Sequence, residues 1–180
     1  MRRSGTIALA LVCAVLVFDG AQSRSGPERE AVTVRTARSF GEDQVVEQLH
    51  RDNSTLTERQ LRRIAAAVIK YSAKYQLDPG LVTAVMRVES TARPWVRSPK
   101  GAVGLMQVMP HMADSADFAG NLTTVESNVE AGCMILADNI RRLGEEDGIS
   151  AYFWGSEIRG VTYLQRVRAA RAAMQGPTES

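Results

Sequence analysis

Apolar residues recur at helical spacing in four stretches of the chain, and each stretch carries a local start or stop signal. The first stretch follows a capping box that begins at Thr57, and its helix is predicted to end near Gln76. The second begins at Asp78-Pro79, a cap residue followed by proline in the first helical position, and runs to about Ser90. These signals predict two consecutive helices in the middle of the chain.

Two later stretches extend the same pattern and predict a mainly α-helical domain. A second capping box begins at Ser127, and Gly144 is the predicted stop of that helix. The last helix is predicted over residues 161–174, and residues 91–104 between the second and third helices are rich in turn formers. No stretch shows convincing strand alternation. The predicted inward positions of the third and fourth helices are Val129, Cys133, Leu136, Ile140, Leu143, Val161, Leu164 and Val167.

The first residues have the pattern of a secretory signal peptide. Arg2 and Arg3 precede an unbroken apolar run of 12 residues, which is short for a membrane span. The small residues Ala21 and Ser23 fit a cleavage site after residue 23, and a short N-terminal membrane anchor is the alternative. The expected division is a signal peptide at 1–23, a flexible leader at 24–56, a helical domain at 57–175 and a tail at 176–180. We therefore expect a periplasmic or secreted protein.

Composition excludes several classes of function. The chain has 22 Lys and Arg residues against 20 Asp and Glu residues, a formal net charge of +2. This near balance argues against nucleic acid as the main partner. The chain contains no stretch of about 20 apolar residues, so a lasting membrane span is not predicted. His50 and His111 lie far apart and have no partner at ligand spacing, so we expect neither a metal site nor a cofactor.

One carboxylate lies on the apolar side of the second helix. At about 100° per residue, Glu89 falls between Val82 and Val85. Burial at that position disfavours the charged form and raises the pKa of the carboxyl, as a general acid working near neutral pH requires. The commoner alternative is a glutamate that only hydrogen-bonds the following loop. Position alone does not decide between the two roles.

A segment downstream of Glu89 favours the catalytic role over the structural one. About nine residues after Glu89-Ser90, residues 98–110 have the sequence Ser-Pro-Lys-Gly-Ala-Val-Gly-Leu-Met-Gln-Val-Met-Pro. Together with Glu-Ser at the end of a helix, this segment resembles the lysozyme-like lytic transglycosylases of the soluble-transglycosylase type. An Asn-x-x-x-Gly pattern at Asn128 and an Ala-Tyr pair at Ala151 resemble later motifs of the same family. The resemblance covers about residues 77–167.

The resemblance implies a lysozyme-like helical fold and an enzyme whose substrate is the glycan strand of peptidoglycan. Such enzymes cleave the β-1,4 bond between N-acetylmuramic acid and N-acetylglucosamine and close a 1,6-anhydro ring on the muramic acid. Glu89 is implied as the catalytic acid and base, without a cofactor. The residues implied to bind substrate are Ser98, Met106, Gln107 and Tyr152. Of these, Met106 and Gln107 would form the floor and polar wall of the cleft, and the Tyr152 hydroxyl would reach the Glu89 carboxyl.

The chain departs from the family pattern at one motif. The family has Ala-Tyr-Asn-small-Gly, whereas this chain has Phe153 and Trp154 at the third and fourth positions. Any hydrogen bond that the asparagine makes is therefore lost. The two aromatic rings could stack on a sugar face, fill the core or block the cleft, and the sequence leaves these three alternatives open.

Three functions are compatible with this pattern. The leading hypothesis is an exported lytic transglycosylase that releases anhydro products. A goose-type lysozyme on the same scaffold would instead hydrolyse the bond and leave reducing ends. A degenerate domain would bind glycan, or act as a scaffold, without cleaving it. Residues 155–167 resemble the compact transglycosylases attached to secretion and conjugation machines, which would make such an apparatus a partner.

Overall fold

The computed structural model describes residues 40–115 and 118–174, and these residues form helices joined by short loops. The prediction of a mainly α fold is confirmed, since the described residues hold two isolated β-bridges and no strand. The helices are α1 (Glu42–Asp52), α2 (Glu58–Tyr75), α3 (Pro79–Ser90), α4 (Pro110–Ser115), α5 (Val125–Leu143), α6 (Glu145–Trp154) and α7 (Thr162–Met174). Within the described residues, no helix combines the length and the hydropathy that a membrane crossing requires.

The limits of α2 and α3 agree with the caps predicted from the sequence. The Thr57 hydroxyl accepts a hydrogen bond from the backbone N–H of Gln60, which completes the predicted capping box. Asp78 caps α3 by accepting from the Leu81 N–H at 2.7 Å, and Pro79 occupies the first turn. Because α3 ends at Ser90, the preceding Glu89 lies in its last turn.

The predicted leader at 24–56 is wrong in its second half. Residues 42–52 form helix α1, which packs against α2 and α3. Val45 is 0% exposed and Leu49 is 1% exposed, so α1 belongs to the core of the domain. A helix this short carries too few apolar residues for its periodicity to be recognised. The predicted signal peptide at 1–23 and residues 24–39 lie outside the described residues.

Helix α5 begins earlier than predicted. Its N-cap is Thr124, whose hydroxyl accepts from the Ser127 N–H, so Ser127 lies in the first turn and is not the cap. Thr124 has no Glu or Gln three residues later, and the pattern at Ser127 therefore looked stronger. The predicted stop at Gly144 is confirmed. Gly144 also precedes α6, a helix that the sequence did not predict.

Five of the eight predicted inward positions of α5 and α7 are buried, Ile140 is partly buried and two are exposed. Val129, Cys133 and Leu136 have no exposed surface, and Leu164 and Val167 are buried in α7. Leu143 is 43% exposed and Val161 is 58% exposed, so the inward prediction is wrong for both. Each residue lies beside a helix end, where the chain turns away and no neighbouring helix covers it.

Candidate active site

Glu89 lies in the last turn of α3 against the hydrophobic core. Val85 and Val82, one and two turns earlier on the same helix, have no exposed surface, as the helical spacing predicted. Glu89 itself is partly buried. Burial raises the pKa of the Glu89 carboxyl, and a hydrogen bond from Tyr163 and the charge of Arg166 oppose that rise without cancelling it. The structure therefore supplies a carboxyl that holds its proton more firmly than an ordinary glutamate.

The tyrosine that touches this carboxyl is not the predicted one. The Tyr163 hydroxyl donates to Oε1 of Glu89 at 2.6 Å, a short hydrogen bond from α7 to α3. The Tyr152 hydroxyl donates instead to the backbone carbonyl of Met106 at 2.8 Å. The prediction that Tyr152 reaches Glu89 is therefore wrong. Both phenols are buried, and this burial, with the nearby Glu89 charge, raises the pKa of each well above its ordinary value.

The spacing of α7 held a signal for Tyr163. Tyr163 precedes the buried Val167 by four residues, so the two side chains face the same side of the helix. A buried tyrosine needs a partner for its hydroxyl. The sequence does not identify that partner, because Tyr163 and Glu89 are 74 residues apart.

Residues 96–108 form a tight loop after α3 that the two bridges pin together. The Ser98 hydroxyl accepts from the Ala102 N–H at 3.0 Å, and the Ser98 carbonyl accepts from the Gly101 N–H at 2.9 Å. Gly101 has a φ of 93° and Gly104 a φ of 74°, which glycine adopts without strain. Ser98 is thus built into the turn. Its predicted contact with substrate stays a prediction.

Gln107 is held at the far end of the same loop. Its side-chain nitrogen donates to the carbonyl of Val96 at 3.2 Å and to that of Gly104 at 2.9 Å. Its backbone lies in the left-handed region, with φ at 47°, a conformation that a non-glycine residue adopts only where its surroundings hold it. These bonds use both amide protons, so the carbonyl oxygen is the part of the side chain suited to a donor from a ligand.

Met106 does not occupy the position that the sequence predicted. Its side chain has no exposed surface, so in this structure it supports the loop from beneath and cannot touch a sugar directly. A Cβ added to Gly132 of α5 would lie 2.6 Å from the Met106 Cβ. The expected direct contact is therefore wrong for this conformation, because α5 approaches closely enough to take Met106 into the core.

The Asn-x-x-x-Gly motif of α5 holds this loop in place. Asn128 is buried, and its side-chain oxygen accepts from the Met106 N–H at 2.8 Å. Its side-chain nitrogen donates to the carbonyls of Val103 at 2.8 Å and Leu122 at 3.0 Å. Gly132 lies one helical turn further on and leaves room for Met106. The motif thus combines the hydrogen bonds of Asn128 with the room that Gly132 leaves for Met106, and both hold the loop at residues 96–108 in place.

Replacing Gly132 with alanine should destabilise the domain. The new methyl group would overlap Met106 atoms near the backbone, and overpacking of this kind costs about 1–3 kcal/mol. That cost should exceed the roughly 1 kcal/mol that alanine gains in a helix, so the free energy of unfolding should fall by about 1 kcal/mol. Urea denaturation measures it. Gly160→Ala, where nothing lies within 4 Å, is the matched control. Equal free energies of unfolding for Gly132→Ala and Gly160→Ala would contradict the close approach of Met106 to Gly132.

Phe153 and Trp154 end α6 beside Tyr163. Phe153 is 54% exposed, and its ring stacks on that of Tyr163 with centroids 4.9 Å apart and planes inclined by 16°. Trp154 is partly buried and meets Phe153 edge to face at 87°. The Trp154 indole nitrogen is buried without a hydrogen-bond partner among the described residues. The two rings therefore occupy different environments.

Two other carboxylates of the domain, Glu126 and Asp138, are paired with arginines at the surface. Glu126 forms two hydrogen bonds with Arg63, both at 2.7 Å, and these hold the pKa of Glu126 below its usual value. Asp138 pairs with Arg142 one turn away on α5. Within the described residues, no three His, Cys, Asp or Glu side chains are grouped as a metal site would require. Glu89 is set apart from these acids by its burial.

The chain is similar to one protein family and to several curated proteins. Residues 66–169 match the family model described as the transglycosylase SLT domain. The chain is 38% identical over 86 residues to the transglycosylase of Enterobacteria phage PRD1, over 47% of this chain and 32% of the phage protein. It is 34% identical over 85 residues to membrane-bound lytic murein transglycosylase C of Glaesserella parasuis, over 42% of this chain and 23% of that protein.

The chain thus matches a third or less of the length of these curated relatives. Among solved structures, it is similar to an inactive mutant of the lytic transglycosylase Slt from Pseudomonas aeruginosa. That similarity has a TM-score of 0.47 and 19% identity, and covers 77% of this chain and 29% of the other. The family match includes α3, the loop after it, α5, α6 and residues 162–169 of α7. These elements carry the residues described above.

Proposed function

Because the chain belongs to the transglycosylase SLT domain family, we propose that it is an exported lytic transglycosylase with Glu89 as its catalytic acid and base. The substrate would be the peptidoglycan glycan strand, cut between N-acetylmuramic acid and N-acetylglucosamine. The observation that supports this proposal most directly is the partly buried Glu89 carboxyl, held by the Tyr163 hydroxyl at 2.6 Å. This arrangement suits a group that must first donate and then accept a proton.

In the first step, Glu89 protonates the glycosidic oxygen as the bond to the muramic acid C1 breaks. Tyr163 occupies Oε1, so we assign the proton to Oε2. Burial raises the pKa of Glu89 and so favours the protonated form, because it penalises the charged carboxylate. Once the proton has left, the Tyr163 hydrogen bond stabilises the carboxylate that remains.

In the second step, the Glu89 carboxylate takes the proton of the muramic acid C6 hydroxyl. The C6 oxygen attacks C1 and closes the 1,6-anhydro ring, and Glu89 is again protonated. Water is not the nucleophile, and a second catalytic carboxylate is not required, unlike in the two-carboxylate glycosidases. We propose that the Gln107 carbonyl oxygen accepts a hydrogen bond from the sugar, since its amide protons already bind the loop.

Mass spectrometry of digested peptidoglycan tests this proposal against its two alternatives. Purified protein should release muropeptides that end in 1,6-anhydro-muramic acid. A hydrolytic lysozyme would release reducing-end products that are heavier by one water molecule. A glycan-binding domain would release neither product while still sedimenting with peptidoglycan. Either of the last two results would overturn the proposed reaction.

Replacing Tyr163 with phenylalanine should shift the pH dependence of the reaction. The Tyr163 hydrogen bond lowers the pKa of Glu89, so its loss should raise that pKa further. The free enzyme needs a protonated Glu89, and the alkaline limb of kcat/KM should therefore move to higher pH. Loss of a hydrogen bond to the carboxylate should also lower kcat by roughly 10- to 100-fold.

Tyr152→Phe is the matched control for this experiment. It removes the hydroxyl that binds the Met106 carbonyl and leaves the bond to Glu89 in place. Its alkaline limb should stay where it is in the parent protein. An alkaline limb of Tyr163→Phe that stays in place, or moves to lower pH, would contradict the assigned role of Tyr163.

We also propose that the protein acts outside the cytoplasm, following removal of residues 1–23. The apolar run and the small residues before position 24 support this proposal. N-terminal sequencing of the protein from the periplasm should find Arg24 first. The resemblance of residues 155–167 to compact transglycosylases supports local wall opening for a secretion or conjugation apparatus, and co-purification with such an apparatus tests that role.

A further inference from the structure

We propose that Phe153 is a specificity-determining residue that packs against one face of a sugar ring in the bound glycan strand. This inference rests on the proposed function, since it takes the cleft beside Glu89 to hold the glycan. It goes further by assigning a contact to the residue that replaces the asparagine of the family pattern.

A chain of direct contacts places Phe153 next to the reacting carboxyl. Its ring stacks on Tyr163 with centroids 4.9 Å apart, and Tyr163 donates to Glu89 at 2.6 Å. The stacked ring of Tyr163 covers one face of Phe153. More than half of the Phe153 side chain is nevertheless exposed, at 54%. An aromatic surface therefore faces solvent, and Tyr163 is the one side chain that links it to Glu89 in this chain of contacts.

The chemistry of that surface suits a sugar better than a polar ligand. The face of an aromatic ring carries partial negative charge, and the C–H groups on the face of a pyranose carry partial positive charge. In β-1,4-linked N-acetylglucosamine the hydroxyl and acetamido groups lie around the ring edge, so its faces present C–H groups. Phe153 is also held in place by Tyr163 and Trp154, so binding orders few side-chain rotations.

The structure distinguishes Phe153 from its neighbour Trp154. Trp154 is partly buried, and its indole nitrogen is enclosed, so it serves as packing at the end of α6. Phe153 does not fill the core, because the residue is 54% exposed. Its stack with Tyr163 also leaves the Tyr163–Glu89 hydrogen bond intact. Of the three alternatives for the substituted motif, stacking on sugar is the one that this placement supports for Phe153.

Binding in an inactive background tests the proposal without turnover. The probe is the hexamer of β-1,4-linked N-acetylglucosamine, titrated calorimetrically into protein that carries Glu89→Gln. Adding Phe153→Ala should weaken binding by roughly 3- to 10-fold, the worth of one aromatic stack. Phe153→Leu should weaken binding by a similar factor because it keeps an apolar cover over Tyr163 but lacks an aromatic face. Phe153→Tyr should bind as the parent does.

Leu143→Ala is the matched control for loss of exposed apolar surface. Leu143 is 43% exposed and precedes α6, whereas Phe153 lies near its other end, about 15 Å along the helix. This variant should bind the hexamer as the parent does. In the active protein, Phe153→Leu should raise KM and leave the pH profile of kcat unchanged.

Two results would overturn the proposal. One is unchanged hexamer binding by both Phe153→Ala and Phe153→Leu. The other is a shifted pH profile of kcat with unchanged binding, which would make Phe153 a cover for Tyr163 only. Failure of the proposed function is a separate outcome: parent protein that cleaves nothing would refute the enzyme, while weakened binding by Phe153→Leu would still support the sugar contact.

Discussion

Replacing Glu89 with glutamine should abolish the release of anhydro-muropeptides and leave the fold intact. Glutamine has nearly the same shape and can still accept the Tyr163 hydrogen bond, but it has no acidic proton to donate. General acid–base catalysis contributes roughly 10²- to 10⁴-fold, and in the proposed reaction one group performs both steps, so activity should fall by at least that factor. Mass spectrometry of peptidoglycan digests measures the products of each variant.

The same substitution should stabilise the protein at neutral pH. Burial raises the folded-state pKa of Glu89, so the folded state binds its proton more tightly than the unfolded state does. Above the ordinary carboxyl pKa, ionisation of Glu89 therefore lowers the free energy of unfolding of the parent protein. Glutamine avoids this loss, and the advantage should vanish below about pH 4. Thermal unfolding measured across pH reports the difference.

Glu126→Gln is the control with the opposite sign. Arg63 holds the pKa of Glu126 below its usual value, so this carboxylate contributes stability above its unfolded-state pKa and loses it as the pH falls. Glu126→Gln should be slightly less stable than the parent at neutral pH, and fully active. Full activity of Glu89→Gln would show that another group is the acid. Lower stability of Glu89→Gln at neutral pH would contradict the cost of burying this carboxylate.

Replacing Asn128 with alanine should produce the largest loss of stability. Its side chain makes two hydrogen bonds to the backbone of the loop at residues 96–108, at Met106 and Val103, and a third to the Leu122 carbonyl just before α5. The buried Met106 N–H would lose this partner at a cost of about 1–3 kcal/mol, and the two donated bonds would each cost about 1 kcal/mol, so the free energy of unfolding should fall by about 3 kcal/mol. Catalysis should fall as well, because the loop also carries Gln107.

Asn139 provides a matched comparison on the same helix. It is also buried, but its side-chain nitrogen lacks a partner among the described residues, and its oxygen accepts from Arg142. Asn139→Ala should therefore cost about 1 kcal/mol. Urea unfolding of the two variants measures the difference. Equal losses for Asn128→Ala and Asn139→Ala would mean that the hydrogen bonds of Asn128 do not hold the loop.

Local signals account for what could be predicted of the fold. The caps of α2 and α3 are formed by residues within one turn of each helix start, so short patterns were sufficient. Helix α1 lacked such a pattern, and its burial depends on α2 and α3, which the sequence does not place beside it. The start of α5 was misplaced because Thr124 caps the helix without the acidic or amide residue of a capping box.

The candidate site shows the same limit. Glu89 could be identified because its burial follows from the spacing of its own helix. The prediction that Tyr152 reaches Glu89 is wrong because the packing of α6 and α7, which the sequence does not give, directs Tyr152 to the Met106 carbonyl and Tyr163 to Glu89. Met106 was assigned to the cleft because its motif is known, yet the absence of a side chain at Gly132 lets it pack inward.

The hydrogen bond from Tyr163 to Glu89 also determines when this site can form during synthesis of the chain. Glu89 is synthesised early, whereas its partner lies on the last helix of the domain. While a ribosome or a translocation channel still holds the C-terminal segment, α7 cannot pack against α3. The Glu89 carboxyl then lacks the hydrogen bond from the Tyr163 phenol. Among the described helices, the one that completes the surroundings of Glu89 is therefore the last to emerge and fold.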